Sequence, residues 1–415
     1  MPEIYLRSDC RMCGSQALRR VVSLKPTPPG NNFLESRELG SSEPSYPLDL
    51  YFCDTCHHVQ LGHVVDPTIL YQNDYTYVSA TSSRFVAHLE AYAKEMVDRF
   101  QLTAASLVAD IGSNDGTCLR FFRDAGVRVL GIDPATAIAQ RATAGGIPTI
   151  GDFFSHQLAV RLREQHGPAA FITSHNACAH IDQLEDVMQG VQHWLADDGL
   201  FVLEVGYLLD VYLNTWFDTI YHEHVDYHSV APFEHLFRRT GLEMFSVQRV
   251  SPQGGSIRIF AQRAGGPRRR DGSVAELIAL EGQNGLDKAA TFVDYGRRID
   301  AIGVELRTLV RSLKAAGKSL AGYGAATKAT TLLMHFGLGA AELDFIADDN
   351  PLKQGLFSPA AHIPVVAPSE IGRRRPDYLL ILAWNFAKPI MEAQRDYAAS
   401  GGKFILPMPV VRVIE

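Results

Sequence analysis

Apolar positions along the chain fall into two rhythms from about residue 100 onward. Short, nearly continuous apolar runs read SLVADIG, VRVLGID, AAFITSHN and LFVLEVG. Between them lie stretches such as LEDVMQGVQHWLADDG, in which apolar residues return every third or fourth position. The first rhythm suits strands covered on both faces; the second suits helices with one buried face. Their alternation predicts βαβ units and a doubly wound parallel sheet. GLEMFSVQRV and SIRIFAQR, joined across Pro-Gln-Gly-Gly, predict an antiparallel hairpin that ends this sheet. Residues 271–316 read as helices. SLAGYG then runs as a strand into the helix AATKATTLLMHFG, and LDFIADDN, YLLILAWN and KFILPMPVV repeat the strand rhythm. The pattern predicts an α/β chain of three parts: a small domain over 1–70, a doubly wound domain over 71–265, and a second Rossmann-like α/β domain over 266–415.

A length of 415 residues allows two or three domains with substantial cores. With 46% apolar and 20% charged residues the composition is that of a soluble globular protein. A net charge of −7 argues against a nucleic-acid partner. The clusters Arg268-Arg269-Arg270 and Arg373-Arg374-Arg375 sit beside Gly and Pro and read as solvated loops. No apolar run approaches the roughly 20 residues that span a bilayer, and MPEIYLRSDC lacks the apolar core of a signal peptide. The expectation is a cytoplasmic protein with no membrane partner.

Of six cysteines, four form two C-x-x-C pairs, Cys10/Cys13 and Cys53/Cys56. Each pair grips one metal ion from a tight turn, and two pairs complete a tetrahedral zinc site. His57 and His58 follow the second pair as alternative ligands. Four cysteine ligands leave no open position, so such a zinc is structural. Cys118 reads as helix packing, and nothing around Cys178 marks it as a nucleophile.

The first central strand ends in Asp110-Ile-Gly-Ser-Asn-Asp-Gly116, which is not the G-x-G-x-x-G of dinucleotide sites. It resembles motif I of class I S-adenosylmethionine (SAM) methyltransferases. Gly112 and Gly116 allow close backbone approach to a ligand. Asp110 suits the methionine ammonium, and Asp133 at the next strand end suits the ribose hydroxyls. Asp152, with Phe153, suits the adenine. Asn114, Pro134 and Asn176 complete the predicted cofactor set. A different nucleotide, such as NAD, is the competing reading.

In the C-terminal part, Gly322, Gly324 and the next helix N-terminus form a natural anion site, with Lys328 adding charge. Asp348, Asn350, Lys353 and Asn385 lie at strand ends, where ligands of such sheets collect. These residues predict recognition of a phosphate-bearing or nucleotide-bearing substrate; a purely structural domain is the alternative.

The densest chemistry is YHEHVDYHS at 221–229, beyond the fifth strand on the predicted cofactor rim. His180 follows the fourth strand, and Tyr75 and Tyr77 lie on the link from the small domain. His222 and His224 on one face of an extended segment would suit a metal. A solvated polar strip is a second reading. Acid/base catalysis is the third: methylation at carbon needs a base for an acidic C–H and donors for the enolate oxygen.

Taken together, C-x-x-C twice, DIGSNDG, NACAHI, YHEH, GYGAATKA and AWN resemble the sugar C-methyltransferases that branch nucleotide-linked deoxysugars. The resemblance covers nearly the whole chain. It implies SAM as methyl donor, a structural zinc, and a dTDP-4-keto-deoxyhexose as substrate; a monomer is the expected state. It also implies deprotonation at C3 followed by attack of the enolate on the methyl group; some relatives act at C5. Carried onto this chain, His224 is the base and Tyr221 stabilises the enolate. Glu223 and His180 support them, and Tyr75 or Tyr77 lines the pocket; the resemblance does not fix the role of His222, which is expected to contact substrate. Asp226, Tyr227 and His228 receive no role and are expected to bear on substrate preference.

Overall fold

A computed structural model describes residues 3–71 and 79–415, so Tyr75 and Tyr77 lie outside the described residues. The N-terminal unit is built from β1 (Ile4–Leu6), β2 (Leu18–Thr27), β3 (Tyr46–Cys53), β4 (Val59–Leu61) and β5 (His63–Val65). Strands β2, β3 and β4 pair antiparallel, and β1 pairs with β5. Strand β2 buries Val21, Val22, Leu24 and Thr27 and exposes the residues between them and Arg19 and Arg20 before them, its register on β3 broken at two irregularities, as suits a sheet with one covered face.

The central unit contains β6 (Leu107–Ile111), β7 (Arg128–Ile132), β8 (Thr149–Ile150), β9 (Ala169–His175), β10 (Leu195–Gly206), β12 (Leu242–Val250) and β13 (Ser256–Arg263). Their order is β12-β13-β10-β9-β6-β7-β8. Strand β13 runs antiparallel to both neighbours, and β6 to β10 are mutually parallel. This is the doubly wound sheet with a reversed strand that the apolar runs predict. One face buries Tyr92, Met96, Phe122 and Phe260; the other buries Trp194, Phe201, Phe233 and Phe237. Strand order reverses beside β6, and ligands of such sheets sit at that point, outside the carboxyl ends.

The C-terminal unit has β14 (Leu320–Tyr323), β15 (Ile346–Ala347), β16 (Val365–Val366), β17 (Tyr378–Ile381), β18 (Lys403–Leu406) and β19 (Arg412–Ile414) in the order β16-β15-β14-β17-β18-β19. Only the edge strand β19 is antiparallel. Helix Ser273–Gln283 belongs to this third in sequence but packs on the central unit. Its buried Glu281 accepts hydrogen bonds from the Tyr207 hydroxyl (3.0 Å) and from the Val230 (2.6 Å) and Ala231 (3.2 Å) amides. Those amides open the helix Val230–Thr240, so the carboxylate satisfies donors that the helix itself leaves free.

The short strand β11 (Asp226–Tyr227) leaves the central sheet altogether. It pairs antiparallel with β4, Asp226 opposite Gln60 and Tyr227 opposite Val59, and so becomes the edge of the N-terminal sheet. The Asp226 carboxylate lies 2.6 Å from His58 Nε2 and 3.9 Å from Arg11 Nε, with all three side chains fully buried. Arg11 also contacts Asp182 (2.9 Å) and donates to the Leu61 carbonyl (2.9 Å). His228 stacks on Phe233 at 4.9 Å, and its carbonyl accepts from the Leu208 amide at 2.8 Å. The polar second half of YHEHVDYHS is therefore an internal seam between two units. Asp226 and Tyr227 also reach the cleft lining, whereas His228 does not.

A buried ion pair that loses one member leaves the other unsatisfied, which destabilises by about 3–5 kcal/mol. Asp226→Ala is expected to lower the unfolding midpoint in urea accordingly, whereas Asp226→Asn, which keeps an acceptor for His58, is expected to lose less.

Candidate active site

One cleft of about 1680 Å³ is lined by all three units. Its cofactor side begins at the turn after β6. Gly112 and Gly116 adopt φ of +78° and +75°, a region that strains side-chain-bearing residues. A Cβ on Gly112 would collide with Ala177, so the turn closes only with glycine there. Asp110 lines the cleft at 2% exposure, and its Oδ1 has no hydrogen-bond partner. Burial and the nearby Asp133 charge push its carboxyl well above the usual range. Asp133 accepts from the Asn114 amide (2.8 Å) and the Ala135 amide (2.9 Å), which aim its carboxylate; each oxygen keeps a second lone pair.

This donor and acceptor set fits SAM. An ammonium beside Asp110 would supply the missing partner, and Asp133 has lone pairs for two ribose hydroxyls. Asn114, Pro134, Phe153 and Asn176 also line this part of the cleft. Gly116 does not; it starts the helix Thr117–Asp124 and packs against Ile147. Asp152 is exposed, accepts from the Phe153 amide (2.8 Å), and is absent from the lining. Its side chain caps its own turn rather than facing the cleft.

The His224 side chain lies across the cleft. Its Nδ1 is 2.9 Å from the Thr219 carbonyl and its Nε2 is 2.8 Å from the Tyr221 hydroxyl. A carbonyl only accepts, so Nδ1 carries the proton and Nε2 presents a lone pair to the Tyr221 O–H. Desolvation lowers the His224 pKa to about 4, so the imidazole is neutral at physiological pH. The His180 ring stands 4.8 Å from that of His224, edge to face. Burial and His224 lower its pKa to about 3. His180 Nδ1 lies 2.9 Å from the Tyr71 hydroxyl, which donates to the Glu223 carbonyl at 3.1 Å. Burial raises the Glu223 carboxyl to about 7 despite its hydrogen bond from Asn31 Nδ2 (3.1 Å). That carboxyl is half protonated at neutral pH and able to donate or accept.

His222 is not on the cleft. Its Nε2 contacts the Tyr46 carbonyl (3.2 Å), its ring meets Tyr46 edge-on, and it is 2% exposed. The Tyr221–Glu223 stretch is a turn, closed by the His224 amide on the Tyr221 carbonyl (2.9 Å), rather than an extended segment. The two histidines therefore point apart, and among the described residues they join no metal-ligand cluster.

The C-terminal wall carries Lys328, Asp348, Asn350, Lys353 and Asn385. Lys328 donates to Asn385 and lies 4.3 Å over the Trp384 ring. Lys353 donates to the Ala325 carbonyl at 2.7 Å. Desolvation lowers the pKa of both lysines. Gly322 and Gly324 do not line the cleft; Leu382, Ile346 and Ala383 occupy the space their missing side chains leave. Asn31, from the N-terminal unit, bridges Glu223 and the Thr327 hydroxyl (2.8 Å). Asn31 and Tyr71 escape sequence reasoning, because a Pro-Gly-Asn-Asn loop and a lone tyrosine give no signal until folding places them.

Away from the cleft, the four cysteine sulfurs lie within 4.8 Å of one another. Cys10 and Cys56 are 3.5 Å apart, and Cys13 and Cys53 are 3.6 Å apart. Ligands at about 2.3 Å from a tetrahedral zinc stand at such separations. The set fits a closed structural Zn²⁺ site. Neither His57 nor His58 is needed: His57 stacks on Phe52, and His58 faces Asp226.

Three family models match in succession: a zinc binding domain over residues 10–71, a methyltransferase domain over 85–247, and a C-methyltransferase C-terminal domain over 251–409. The chain is 37% identical to C-methyltransferase NovU from Streptomyces niveus over 98% of this chain and 97% of that protein. Solved structures resemble a portion of the chain. Magnesium protoporphyrin IX methyltransferase from Synechocystis PCC 6803, with bound SAM, is 13% identical over 43% of this chain and 79% of its own, at a TM-score of 0.33. A SAM-dependent methyltransferase from Clostridium acetobutylicum is 12% identical over 45% of this chain and 94% of its own, at a TM-score of 0.36. Among the described residues no helix is long and apolar enough to cross a membrane.

A hydrogen bond to a charged group contributes roughly 1.5–3 kcal/mol. Asp110→Asn is accordingly expected to raise the SAM Kd about tenfold or more in isothermal titration. The histidines give a second expectation. His180, His222, His224 and His228 have folded pKa values of about 3, 4, 4 and 4, below the ordinary unfolded value. Their stabilising contribution is present above about pH 6.5 and is lost as pH falls toward 4, because only the unfolded chain takes up the protons. The acid limb of kcat/KM is expected to sit near the folded value rather than near 6.5, as read from a pH–rate profile.

Proposed function

The chain belongs to the C-methyltransferase family, and from that premise we propose that it methylates a ring carbon of a nucleotide-activated keto-deoxysugar. The preferred substrate is a dTDP-4-keto sugar and the preferred position is C3. The observation that carries this reading is the part-buried Tyr221–His224 hydrogen bond, set on a cleft between the cofactor turn and the lysine-bearing C-terminal wall.

Bound SAM supplies an electrophilic methyl group; the remaining chemistry falls to the chain's own side chains. A C–H beside a ketone is weakly acidic, and its removal needs a desolvated base within hydrogen-bond reach. His224 meets that need: Nδ1–H on the Thr219 carbonyl fixes the tautomer, which leaves Nε2 to accept the proton. As substrate enters, the Tyr221 hydroxyl exchanges His224 Nε2 for the enolate oxygen as its acceptor. Donors already in place act strongly in a site of low dielectric. Glu223, half protonated near pH 7, is a second donor. Lys328, Lys353 and Asn385 supply positive charge and polar hydrogen for the diphosphate handle. Holding that remote handle orients the ring at the base.

The position of methylation has an alternative in C5, which like C3 neighbours the C4 ketone and carries an acidified C–H. His224→Ala is expected to lower turnover by about 10²–10⁴ while SAM affinity stays close to wild type. In D₂O, wild-type protein is expected to exchange one ring proton of a 4-keto sugar nucleotide, and mass spectrometry locates it at C3 or C5. Retained activity in His224→Ala, or absence of any exchange, removes the proposal.

A further inference from the structure

The turn that orients His224 is held from outside its own domain. It runs from Phe217 to Thr219, and the Thr219 carbonyl is the acceptor for His224 Nδ1–H. One residue earlier, Asp218 is fully buried. Its Oδ2 accepts from Trp384 Nε1 at 2.6 Å, and its Oδ1 has no partner. One residue later, the Ile220 carbonyl accepts from Thr331 Oγ1 at 2.8 Å. Phe217 packs on Phe336 at 4.8 Å between ring centroids. Trp384, Thr331 and Phe336 all belong to the C-terminal unit.

Trp384 also sits at a ligand position of its own sheet. From β14 the chain winds outward through β15 and β16, then returns to β17 on the other side. The crevice between the ends of β14 and β17 is the point where ligands of such sheets bind. Lys328, in the first turn of the helix Thr327–Phe336, crosses that crevice to Asn385 and covers one face of Trp384. Trp216 covers the indole from a ring distance of 5.0 Å. The indole is thus fixed by a cation, an aromatic ring and a hydrogen bond.

We infer that Trp384 is a positioning residue that ties the anion-binding crevice of the C-terminal unit to the catalytic base, through Asp218 and the Thr219 carbonyl. The inference rests on the sugar-nucleotide reading for the identity of the anion, a diphosphate handle at Lys328. It does not rest on it for the tie to His224. The tie gives the C-terminal wall two tasks: holding the handle, and keeping the imidazole in the tautomer with a bare Nε2. Deleting the indole N–H takes from the buried Asp218 carboxylate its side-chain donor, and the turn shifts to replace it. Sub-ångström movement at a base is felt in kcat rather than in binding.

The test uses the full chain with zinc and compares W384F with D218N. W384F keeps an aromatic face for Lys328 but removes the donor; D218N keeps an acceptor for the indole. W384F is expected to lower kcat and the ring-proton exchange rate about tenfold, with KM for the dTDP-4-keto sugar and the SAM Kd changed less than about twofold. D218N is expected to stay within about threefold of wild type. In ¹⁵N-histidine spectra at neutral pH, His224 is expected to show a protonated Nδ1 in wild type and D218N, and a changed tautomer balance in W384F. Unchanged kcat and unchanged His224 signals in W384F overturn the inference. So does a loss of rate that only follows the folded fraction measured by SAM binding, or a D218N loss as large as that of W384F. If wild type turns over no sugar nucleotide, the proposed substrate fails, and the His224 spectra of W384F alone decide the tie.

Discussion

The pairing of Asp226 and Tyr227 with β4 is the constraint on which the site depends. It takes two residues out of a methyltransferase-like domain and makes them the edge of a neighbouring sheet. With them, the preceding turn at 221–224 is pinned between two units. The buried triad Asp226, His58 and Arg11 makes the register hard to slip, since any shift strands charges in a dry interior. The zinc turns stand directly behind this seam, because Cys53 ends β3 and Cys56 precedes β4. The four-cysteine site thereby braces the sheet on whose edge β11 lies.

Desolvation does most of the electrostatic work in the cleft. Four histidines of the region are held neutral by burial, which leaves imidazole lone pairs available at any pH near neutrality. The same desolvation raises Glu223 and Asp110, and lowers Lys328 and Lys353. Groups of both signs are thus pushed toward their uncharged forms in one cavity. A substrate that brings an anion to the lysines and a cofactor that brings a cation to Asp110 would restore charge at both ends. Between them His180, Tyr221, Glu223 and His224 line the cleft, and these polar groups rather than water face any charge that develops there.

Interdomain contacts organise the rest. Asn31 reaches from the N-terminal loop to Glu223 and Thr327, and the C-terminal unit reaches the turn before YHEH through Trp384 and Thr331. The segment 217–224 is therefore supported from both flanking units, by residues remote from it in sequence. Such convergence explains why a cleft can be wide enough for two ligands and still hold one imidazole in a fixed tautomer.

The sequence by itself determined the elements and the local chemistry. Buried parallel strands must be nearly all apolar, so SLVADIG, VRVLGID, AAFITSHN and LFVLEVG declared themselves. Two C-x-x-C turns declared a closed metal site, because thiolate geometry is local. Gly112 declared a turn that only glycine closes. What the sequence left undetermined depends on which surfaces meet. His222 and His224 differ by two positions, yet one faces Tyr46 and the other the cleft, because a turn replaces the extended segment that spacing implies. Asp152 and Gly324 carry motif-like signals but serve local packing and capping. Tyr71, Asn31 and Trp384 carry no motif and acquire a role only when three units close around one cavity. Periodicity and ligand spacing are properties of neighbours along the chain; burial, tautomer and pKa are properties of neighbours in space, and those only the tertiary structure decided.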